Sequence, residues 1–352
     1  MKKTLSILLS AVLAMGLLAS CGSAAPSSAV SKAESVAAPS SKAESVPQSA
    51  VAAEQTIFRI ASLKGPTTMG MVKLMEDAEA KATANDYQVT MYGAADEIAP
   101  KLISGDIDVA LIPANLASTL YAKTEGKIQA AAVNTLGVLY IVGTGDAMAS
   151  IKDLKGKTIY ATGKGTTPEY VLNYVLQKNG LVPGTDVTIE YKSEATEVAA
   201  AMKASSGYPI ALLPQPYATA LKGELPELKT MFDMTAEWNK VSPESALVTG
   251  VMVARKDFIE KNADAFTVFM QDYKSSTEWV NANTDDAAAL VVKYGIVPKP
   301  ELAKKALPLC NITFIEGADM QAKLEGYLSV LNEQNPKAIG GAMPDEGFYY
   351  KK

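Results

Sequence analysis

Leu136-Gly-Val-Leu-Tyr-Ile-Val-Gly-Thr144 is the stretch of sequence on which the fold depends. It is apolar and contains two glycines, and it has a counterpart further along the chain in Ala246-Leu-Val-Thr-Gly-Val-Met-Val-Ala254. These segments flank the middle third of the chain. They predict paired crossover strands, through which the chain leaves one lobe and later returns to it. Two ordinary core strands are the alternative interpretation.

Around the first of these segments, short β-branched or apolar runs alternate with amphipathic segments. In the first series, strands are predicted at 57–61, 88–92, 108–112 and 128–133, with helices near 68–83, 96–104 and 115–123. In the second series, strands are predicted at 158–161, 187–191, 210–213 and 229–232, with helices near 168–179, 194–204 and 215–222. Such alternation is typical of a mainly parallel sheet covered by helices. The sequence therefore predicts an α/β fold with lobe 1 at 56–138 and 252–352 and lobe 2 at 139–251.

The C-terminal part of the chain, from residue 256 onward, is predicted to be mainly helical. Large side chains recur there at three-to-four spacing, which indicates core packing rather than an aromatic ligand box. They are Phe258, Phe266, Phe269, Met270, Tyr273, Thr277 and Val280. Cys310 lies in an apolar stretch and is expected to be a buried, small hydrophobic residue.

At the N-terminus, residues 1–20 have the basic start and short apolar run of a signal peptide. The run ends in Leu18-Ala-Ser-Cys21, which resembles a bacterial lipobox, and this predicts that Cys21 carries a lipid. An ordinary secretory signal is the alternative. Residues 21–55 are rich in Ala, Ser and Pro and repeat the unit Ser-Lys-Ala-Glu-Ser-Val at 31–36 and 41–46, which predicts a disordered tether.

Composition excludes several classes of function. The chain of 352 residues has no histidine, and Cys21 and Cys310 are its only cysteines, so His-dependent catalysis and His- or Cys-ligated metal sites are not expected. A formal charge of −5 does not favour nucleic acid. Arginine occurs only at Arg59 and Arg255, so guanidinium clamps on carboxylates or phosphates are not favoured either. Binding without metal or cofactor is therefore the favoured class.

Three motifs resemble those of a known family. Leu102-Ile-Ser-Gly-Asp-Ile-Asp-Val-Ala110 and Ser150-Ile-Lys-Asp-Leu-Lys-Gly-Lys-Thr-Ile159 resemble turns of type II solute-binding proteins. Leu63-Lys-Gly-Pro-Thr-Thr-Met-Gly70 is similar to the ligand turn of substrate-binding lipoproteins in ABC importers for nitrate, sulfonates, taurine and thiamine precursors. The resemblance implies the type II periplasmic-binding-protein fold with two crossover hinge strands. It also implies a monomer, lipid-anchored on the extracytoplasmic face of the cell membrane, that captures a small organic or anionic solute for a permease and its ATPase. The expected solute is a sulfonate, a compound like a thiamine precursor, or another small anionic or aromatic compound.

In open α/β sheets, ligands lie beyond the carboxyl ends of the strands, where helices begin. The resemblance therefore places the ligand between two such turns, with Thr67 or Thr68 as the cap of the first helix and a capping box at 166–169. Asn115 and Gln215 follow corresponding strands of the two lobes, and Tyr140 and Trp238 are candidates for stacking on a ring. The turns contribute Lys64, Gly65, Pro66, Thr67, Thr68 and Met69, and Thr162, Gly163, Lys164, Gly165, Thr166 and Thr167.

Several of these residues could have a structural role instead of binding the ligand. The threonines, Asn115 and Gln215 are also good helix starters, and Trp238, expected in a loop, could cover the hinge instead of the ligand. A ligand-sensing lipoprotein without a transporter is the alternative function. An enzyme on the same fold is disfavoured, because the pyrimidine-precursor synthases that resemble this architecture use an active-site histidine, which this chain lacks.

Overall fold

The computed structural model describes residues 55–352. The predicted signal peptide, Cys21 and the tether, apart from Gln55, lie outside the described residues. The strands are β1 (Ile57–Leu63), β2 (Asp86–Tyr92), β3 (Val109–Pro113), β4 (Ile128–Leu136), β5 (Leu139–Gly143), β6 (Thr158–Ala161), β7 (Thr188–Tyr191), β8 (Ile210–Pro214), β9 (Lys229–Asp233), β10 (Val248–Arg255) and β11 (Ile312–Ile315).

Helices connect most of these strands and make up most of the C-terminal part. They are α1 (Pro66–Met69), α2 (Val72–Glu79), α3 (Ala95–Ser104), α4 (Ala114–Lys123), α5 (Thr167–Lys178), α6 (Ala195–Ala204), α7 (Tyr217–Glu224), α8 (Met234–Val241), α9 (Lys256–Lys261), α10 (Ala263–Ala282), α11 (Thr284–Lys293), α12 (Pro300–Ala306) and α13 (Gly317–Gln334). None of the helices within residues 55–352 is long and apolar enough to cross a membrane.

The strands form two sheets of similar design. The first sheet has the order β11-β4-β10-β3-β1-β2 and the second has the order β7-β6-β8-β5-β9. In both, three neighbouring strands are parallel, and the next strand, β10 or β5, runs antiparallel to them. The β2-β1-β3-β10-β4 part of the first sheet thus corresponds strand for strand to the second. The predicted α/β fold of two sheets flanked by helices is confirmed, but the sheets are mixed rather than mainly parallel: two strand pairs are parallel in each, against three antiparallel pairs in the first sheet and two in the second.

The crossovers between the sheets are shorter than the sequence suggested. The chain leaves the first sheet after Leu136 and enters the second at Leu139, and it returns in the segment between α8 and β10. Strand β10 belongs entirely to the first sheet, where Val248 pairs with Leu136. Residues 248–251, predicted for lobe 2, therefore hydrogen-bond in the first sheet. This boundary was misplaced because β10 is buried along most of its length and its apolar run carries no signal of sheet membership.

Two helix predictions need correction. The helix expected near 68–83 is divided at Gly70, whose carbonyl oxygen accepts a hydrogen bond from the Ser276 hydroxyl of α10 at 2.8 Å instead of continuing one helix. Trp238, expected in a loop, lies in α8. The Asp233 side chain caps that helix by accepting from the Thr235 N–H at 2.8 Å, and aspartate at this position is a signal for the start of a helix.

The aromatic stripe of the C-terminal part packs in the core, as predicted. Phe266, Phe269, Met270 and Tyr273 of α10 are buried together with Phe58 of β1. Cys310 is also fully buried, and its thiol donates to the Ala306 carbonyl oxygen at 3.2 Å. Helix α10 therefore backs the first sheet and supports the turn that follows β1.

Candidate functional site

A cavity of about 520 Å³ lies at the carboxyl ends of strands from both sheets. Pro113 ends β3 of the first sheet, Pro214 ends β8 of the second, and Val138 and Leu139 form the crossover between the sheets. Larger depressions of about 800 and 770 Å³ lie elsewhere, but neither contains the carboxyl end of a parallel strand. The switch-point rule for open α/β sheets therefore favours the 520 Å³ cavity as the site.

The lining of this cavity is mainly aliphatic. Its apolar residues are Ala95, Ala99, Pro113, Leu116, Leu120, Val138, Leu139, Pro168 and Pro214, and its polar and charged residues are Asp96, Asn115, Lys123, Thr166, Thr167 and Thr249. No aromatic side chain is among them. The cavity thus provides van der Waals contact for an aliphatic group and a few hydroxyl and amide groups for a polar one.

The second-sheet wall is formed by the turn before α5. Thr166 and Thr167 line the cavity, as predicted, but the expected capping box is displaced by one residue. The Glu169 carboxylate accepts from the Gly165 N–H at 2.5 Å, and the Thr166 hydroxyl donates to the Gly163 carbonyl oxygen at 2.7 Å. Gly163 and Gly165 adopt φ values of 76° and 75°, which favour glycine, so this turn depends on the glycines at both positions.

The first turn is built differently from the prediction. Gly65, not Thr67 or Thr68, is the N-cap of α1, and both threonine hydroxyls donate back to the Leu63 carbonyl oxygen, at 2.9 and 2.5 Å. Thr68 is fully buried, and its hydroxyl also lies 2.6 Å from that of Ser62. With one turn of helix and inward-facing hydroxyls, this segment stabilises the fold. Lys64, Gly65, Pro66, Thr67, Thr68 and Met69 are all absent from the cavity lining.

Of the two amides predicted at corresponding strand ends, one lines the cavity. Asn115 does so from the first turn of α4, and its Nδ2 donates to the Ala338 carbonyl oxygen at 3.4 Å. Gln215 follows the corresponding strand of the second sheet, β8, and is buried. Its Oε1 accepts from the Thr219 hydroxyl at 2.7 Å. Gln215 is therefore outside the lining, where it supports the start of α7.

The two candidates for aromatic stacking face away from the cavity. Trp238 is fully buried, with its ring 4.7 Å from that of Tyr174 and 5.7 Å from that of Tyr327, and its Nε1 donates to the Ser245 hydroxyl at 2.9 Å. Tyr140 is also buried and donates to the carbonyl oxygen of Leu309. The stacking prediction does not fit this packing, because both faces of the Trp238 ring are covered; Trp238 instead packs between α5 and α13.

The positive charges near the site come from lysines rather than arginines, and Asp96 adds a negative charge to the lining. Lys123 lines the cavity, while Lys64 and Lys164 are exposed, and the Lys164 ammonium lies 6.0 Å from the centroid of the Tyr191 ring. Both arginines form carboxylate pairs elsewhere, Arg59 with Asp108 and Arg255 with Asp257. The hydrogen bond to Asp108 raises the pKa of Arg59. Neither arginine lines the cavity, as the sequence had indicated.

Several lining residues were missed. Leu116, Leu120 and Lys123 lie on one face of α4 at a spacing of three to four residues, a pattern that the sequence does carry but that equally describes core packing. Asp96 and Thr249 carry no local signal. Thr162, Gly163, Lys164 and Gly165 precede the lining residues Thr166 and Thr167 but do not line the cavity themselves.

Comparison with known proteins defines the class to which this architecture belongs. Residues 73–276 match the family described as the periplasmic substrate-binding protein of ABC transporters for phosphonate. The chain belongs to this family, and the predicted role as a solute-binding component of an ABC importer is confirmed at this level. The proteins of this family are described as substrate-binding proteins rather than enzymes.

Individual relatives are distant. YtlA of Bacillus subtilis (strain 168), whose name proposes that it is a binding protein, is 24% identical over 244 residues, which cover 64% of this chain and 70% of YtlA. An ABC transporter structure from Parabacteroides distasonis shares the fold with a TM-score of 0.71 and 22% identity, covering 85% of this chain and 100% of that one. The aliphatic sulphonate binding protein SsuA from Escherichia coli shares the fold with a TM-score of 0.65 and 17% identity, and the match covers 84% of this chain and 92% of SsuA.

Proposed function

We propose that this protein captures a small solute with a tetrahedral oxyanion head group, a sulfonate or a phosphonate, and an aliphatic body. The lobes built on the two sheets close on the solute, and the closed form presents it to a permease driven by an ATPase. The observation that carries the proposal is the cavity between the ends of β3 and β8, with its aliphatic lining and few polar groups. Membership of the phosphonate-binding family and the likeness to sulphonate-binding SsuA support the choice of head group.

The polar groups of the cavity suit the head group. Thr167 presents its hydroxyl at the start of α5, whose N-terminus favours an anion by about 0.3–1 kcal/mol, while the Thr166 hydroxyl is held by its bond to the Gly163 carbonyl oxygen. Asn115 adds an amide from the facing wall, and Lys123 adds a positive charge that balances the negative charge of Asp96 in the same lining. Oxyanions are bound without an arginine fork in this arrangement, because Arg59 and Arg255 are engaged with carboxylates.

The aliphatic lining suits the body of the solute. Each buried methylene group contributes about 0.8 kcal/mol, which is about a fourfold gain in affinity. Leu116 and Leu120 of α4 and Pro168 and Pro214 of the second-sheet side form opposing surfaces on which such a chain would pack. The absence of aromatic side chains from the lining makes a flexible alkyl chain a better fit than a planar ring.

A homologous series tests this proposal. Straight-chain alkanesulfonates and alkylphosphonates of one to six carbons, with inorganic sulfate, inorganic phosphate, nitrate and benzenesulfonate as comparisons, are titrated by calorimetry and by thermal shift. We expect affinity to rise by about fourfold per added methylene group until the cavity is full. A bound ligand at a hundredfold excess over Kd adds about 2.7 kcal/mol of stability, which a thermal shift detects.

A matched pair of variants identifies the cavity as the binding surface. Leu116→Ser should reduce the gain per methylene group, whereas Ile103→Ser, at an exposed position of α3 that does not line the cavity, should leave it unchanged. Equal affinity along the series, or tighter binding of inorganic anions than of any alkyl compound, would show that the aliphatic lining does not bind the solute.

We further propose that the mature protein is a monomer, lipid-anchored through Cys21 on the extracytoplasmic side of the membrane. The lipobox-like tetrapeptide at residues 18–21 and the Ala/Ser/Pro-rich stretch after it support this proposal. Metabolic labelling with a radioactive fatty acid should mark the native chain and not a Cys21→Ser variant, and light scattering of the detergent-free Cys21→Ser protein should give the mass of one chain.

A further inference from the structure

Helix α13 reaches from the first sheet to the turn that lines the cavity on the second-sheet side. It follows β11 of the first sheet and packs against β4 and β10. Its C-terminal end lies against α5 of the second sheet, where the Gln334 Nε2 donates to the carbonyl oxygen of Tyr170 at 3.1 Å. The helix is therefore a direct connection between the first sheet and the start of α5.

Tyr170 is the centre of this contact. Its side chain is buried, its hydroxyl donates to the Gly165 carbonyl oxygen at 3.0 Å, and the same hydroxyl accepts from the Nδ2 of Asn335, also at 3.0 Å. A hydroxyl that donates and accepts at once has its proton directed by both partners. Asn335, just beyond the end of α13, thus orients the group that holds Gly165.

Gly165 is held at both of its backbone polar atoms. Its N–H donates to Glu169, and its carbonyl oxygen accepts from Tyr170, so two neighbouring residues of the first turn of α5 fix one exposed glycine. Glycine adopts φ values such as the 75° of Gly165 without steric cost but has a wide range of other conformations, which these two bonds restrict. The position of Thr166 and Thr167, which line the cavity directly after Gly165, follows from these two bonds.

A second contact from α13 reaches the same turn. The hydroxyl of Tyr327, a fully buried residue of α13, lies 3.4 Å from the Oγ1 of Thr167. One residue of α13 and the residue just beyond its end therefore act on the same turn, Tyr327 on Thr167 directly and Asn335 on Gly165 through Tyr170.

We propose that Tyr170, oriented by Asn335, is a positioning residue for the solute: it does not line the cavity but sets the place of Thr166 and Thr167 there. This inference rests on the proposed function of the cavity. In this arrangement, α13, which packs on the first sheet, controls the binding turn on the second-sheet side. The turn adopts its binding geometry only while α13 is docked on α5.

The test uses two variants and a matched pair of controls. Tyr170→Phe removes the hydroxyl, and Asn335→Asp replaces the Nδ2 donor with a charged carboxylate oxygen while keeping the oxygen that accepts from the Lys337 N–H. Tyr87 has the same arrangement on the far side of the first sheet, accepting from Asn85 at 3.0 Å and donating to Asp272 at 2.6 Å. Tyr87→Phe and Asn85→Asp are therefore the controls.

Two readouts are measured on the full chain. Amide hydrogen exchange without ligand reports on residues 163–167, and calorimetry reports the affinity for the alkanesulfonate or alkylphosphonate that binds best. We expect exchange in this turn to be about tenfold faster in both variants, and affinity to be about three- to tenfold weaker, as for the loss of one hydrogen bond. The control variants should change neither the exchange rate of the turn nor the affinity, even if they lower the melting temperature as much as Tyr170→Phe and Asn335→Asp do.

Exchange in the turn that matches the native protein would overturn the inference, and so would faster exchange with native affinity, because the turn would then not determine binding. If Tyr170→Phe fails to fold, Asn335→Asp carries the same comparison with the core side chain intact. Should the native protein bind no alkyl sulfonate or phosphonate, the proposed function fails separately, and the exchange of the ligand-free turn still decides whether Tyr170 holds it.

Discussion

The hydroxyl group of Tyr140 donates a hydrogen bond to the carbonyl oxygen of Leu309, 2.9 Å away. Tyr140 belongs to β5 of the second sheet, and Leu309 precedes β11 of the first. Two residues further on, the Nδ2 of Asn311 donates to the carbonyl oxygen of Gly137 at 2.5 Å, and Asn311 accepts from the Leu136 N–H at 3.1 Å. The segment 309–311 thus braces the crossover between the sheets on both sides.

Tyr140→Phe should weaken this brace while keeping the ring in place. We expect the free energy of unfolding to fall by about 1 kcal/mol, the usual net contribution of one hydrogen bond, as measured by urea denaturation. The scattering profile of the ligand-free variant should also shift toward a larger radius of gyration. Tyr121→Phe, which removes a hydroxyl bonded to the exposed Asp345, is the control and should not alter the radius. A native radius for Tyr140→Phe would argue against the brace.

The threonines of the two turns should separate into a binding and a structural group. Thr167→Ala should weaken solute affinity by about three- to tenfold, because Thr167 lines the cavity, and should cost less stability than Thr68→Ala, because the hydroxyl it removes lies a long 3.4 Å from that of the buried Tyr327. Thr68→Ala should instead lower the free energy of unfolding by about 1–2 kcal/mol, because it leaves the buried Ser62 hydroxyl without its partner. Calorimetry and urea denaturation of both variants check this. The reverse pattern would place the solute at the first turn.

Asp108→Asn should destabilise the first sheet. The Asp108 side chain is 1% exposed. Its carboxylate accepts two hydrogen bonds from the Arg59 guanidinium group, at 2.5 and 2.8 Å, and one from the Arg59 backbone N–H, at 3.1 Å. Hydrogen bonds to a charged group contribute about 1.5–3 kcal/mol, and since Arg59 is half-exposed we expect a loss of about 2 kcal/mol by urea denaturation. Asp257→Asn, at the exposed pair with Arg255, should cost less than about 1 kcal/mol. Equal losses would contradict this distinction.

Cys310 should be unreactive in the folded protein. Burial raises the pKa of its thiol to about 12, and the thiolate is the reactive form. In a Cys21→Ser background, Ellman's reagent should therefore label Cys310 at pH 8 only after denaturant is added. Because the unfolded thiol titrates near pH 8.5, the folded state binds the proton more tightly, and this contribution to stability is lost as pH rises from about 8.5 toward 12. Rapid native labelling at pH 8 would contradict the burial.

Most of the fold could be predicted because its signals are local. Strands such as β6 and the helices α3, α4 and α6 were placed within a residue or two, since alternation and amphipathic periodicity depend on neighbouring positions. The break at Gly70 could not be predicted, because its cause is the Ser276 hydroxyl, far away in sequence. Membership of β10 in the first sheet is decided by pairing with β3 and β4, which no property of 248–251 reveals.

The candidate site was predicted less well, because the sequence does not determine the direction in which each side chain points. Residue type and position in a turn identified Asn115, Thr166 and Thr167, which line the cavity. The same reasoning selected Thr67, Tyr140 and Trp238, whose side chains are buried. The Thr67 hydroxyl bonds to the nearby Leu63 carbonyl oxygen, whereas Tyr140 bonds to Leu309 and the Trp238 ring lies against Tyr174 and Tyr327, which are distant in sequence. Whether a polar or aromatic group at a strand end faces the ligand or the core depends on what packs behind it, and that is a tertiary property.

The place of β10 between β3 and β4 has a consequence for the order in which the protein is made. During synthesis, β4 emerges soon after β3, yet in the finished sheet the two are separated by a strand that ends at Arg255. Until the ribosome has released that residue, β3 and β4 have no partner at the edges they will later share with it. The second sheet, whose five strands are contiguous in the chain from Leu139 to Asp233, is complete before the first one is.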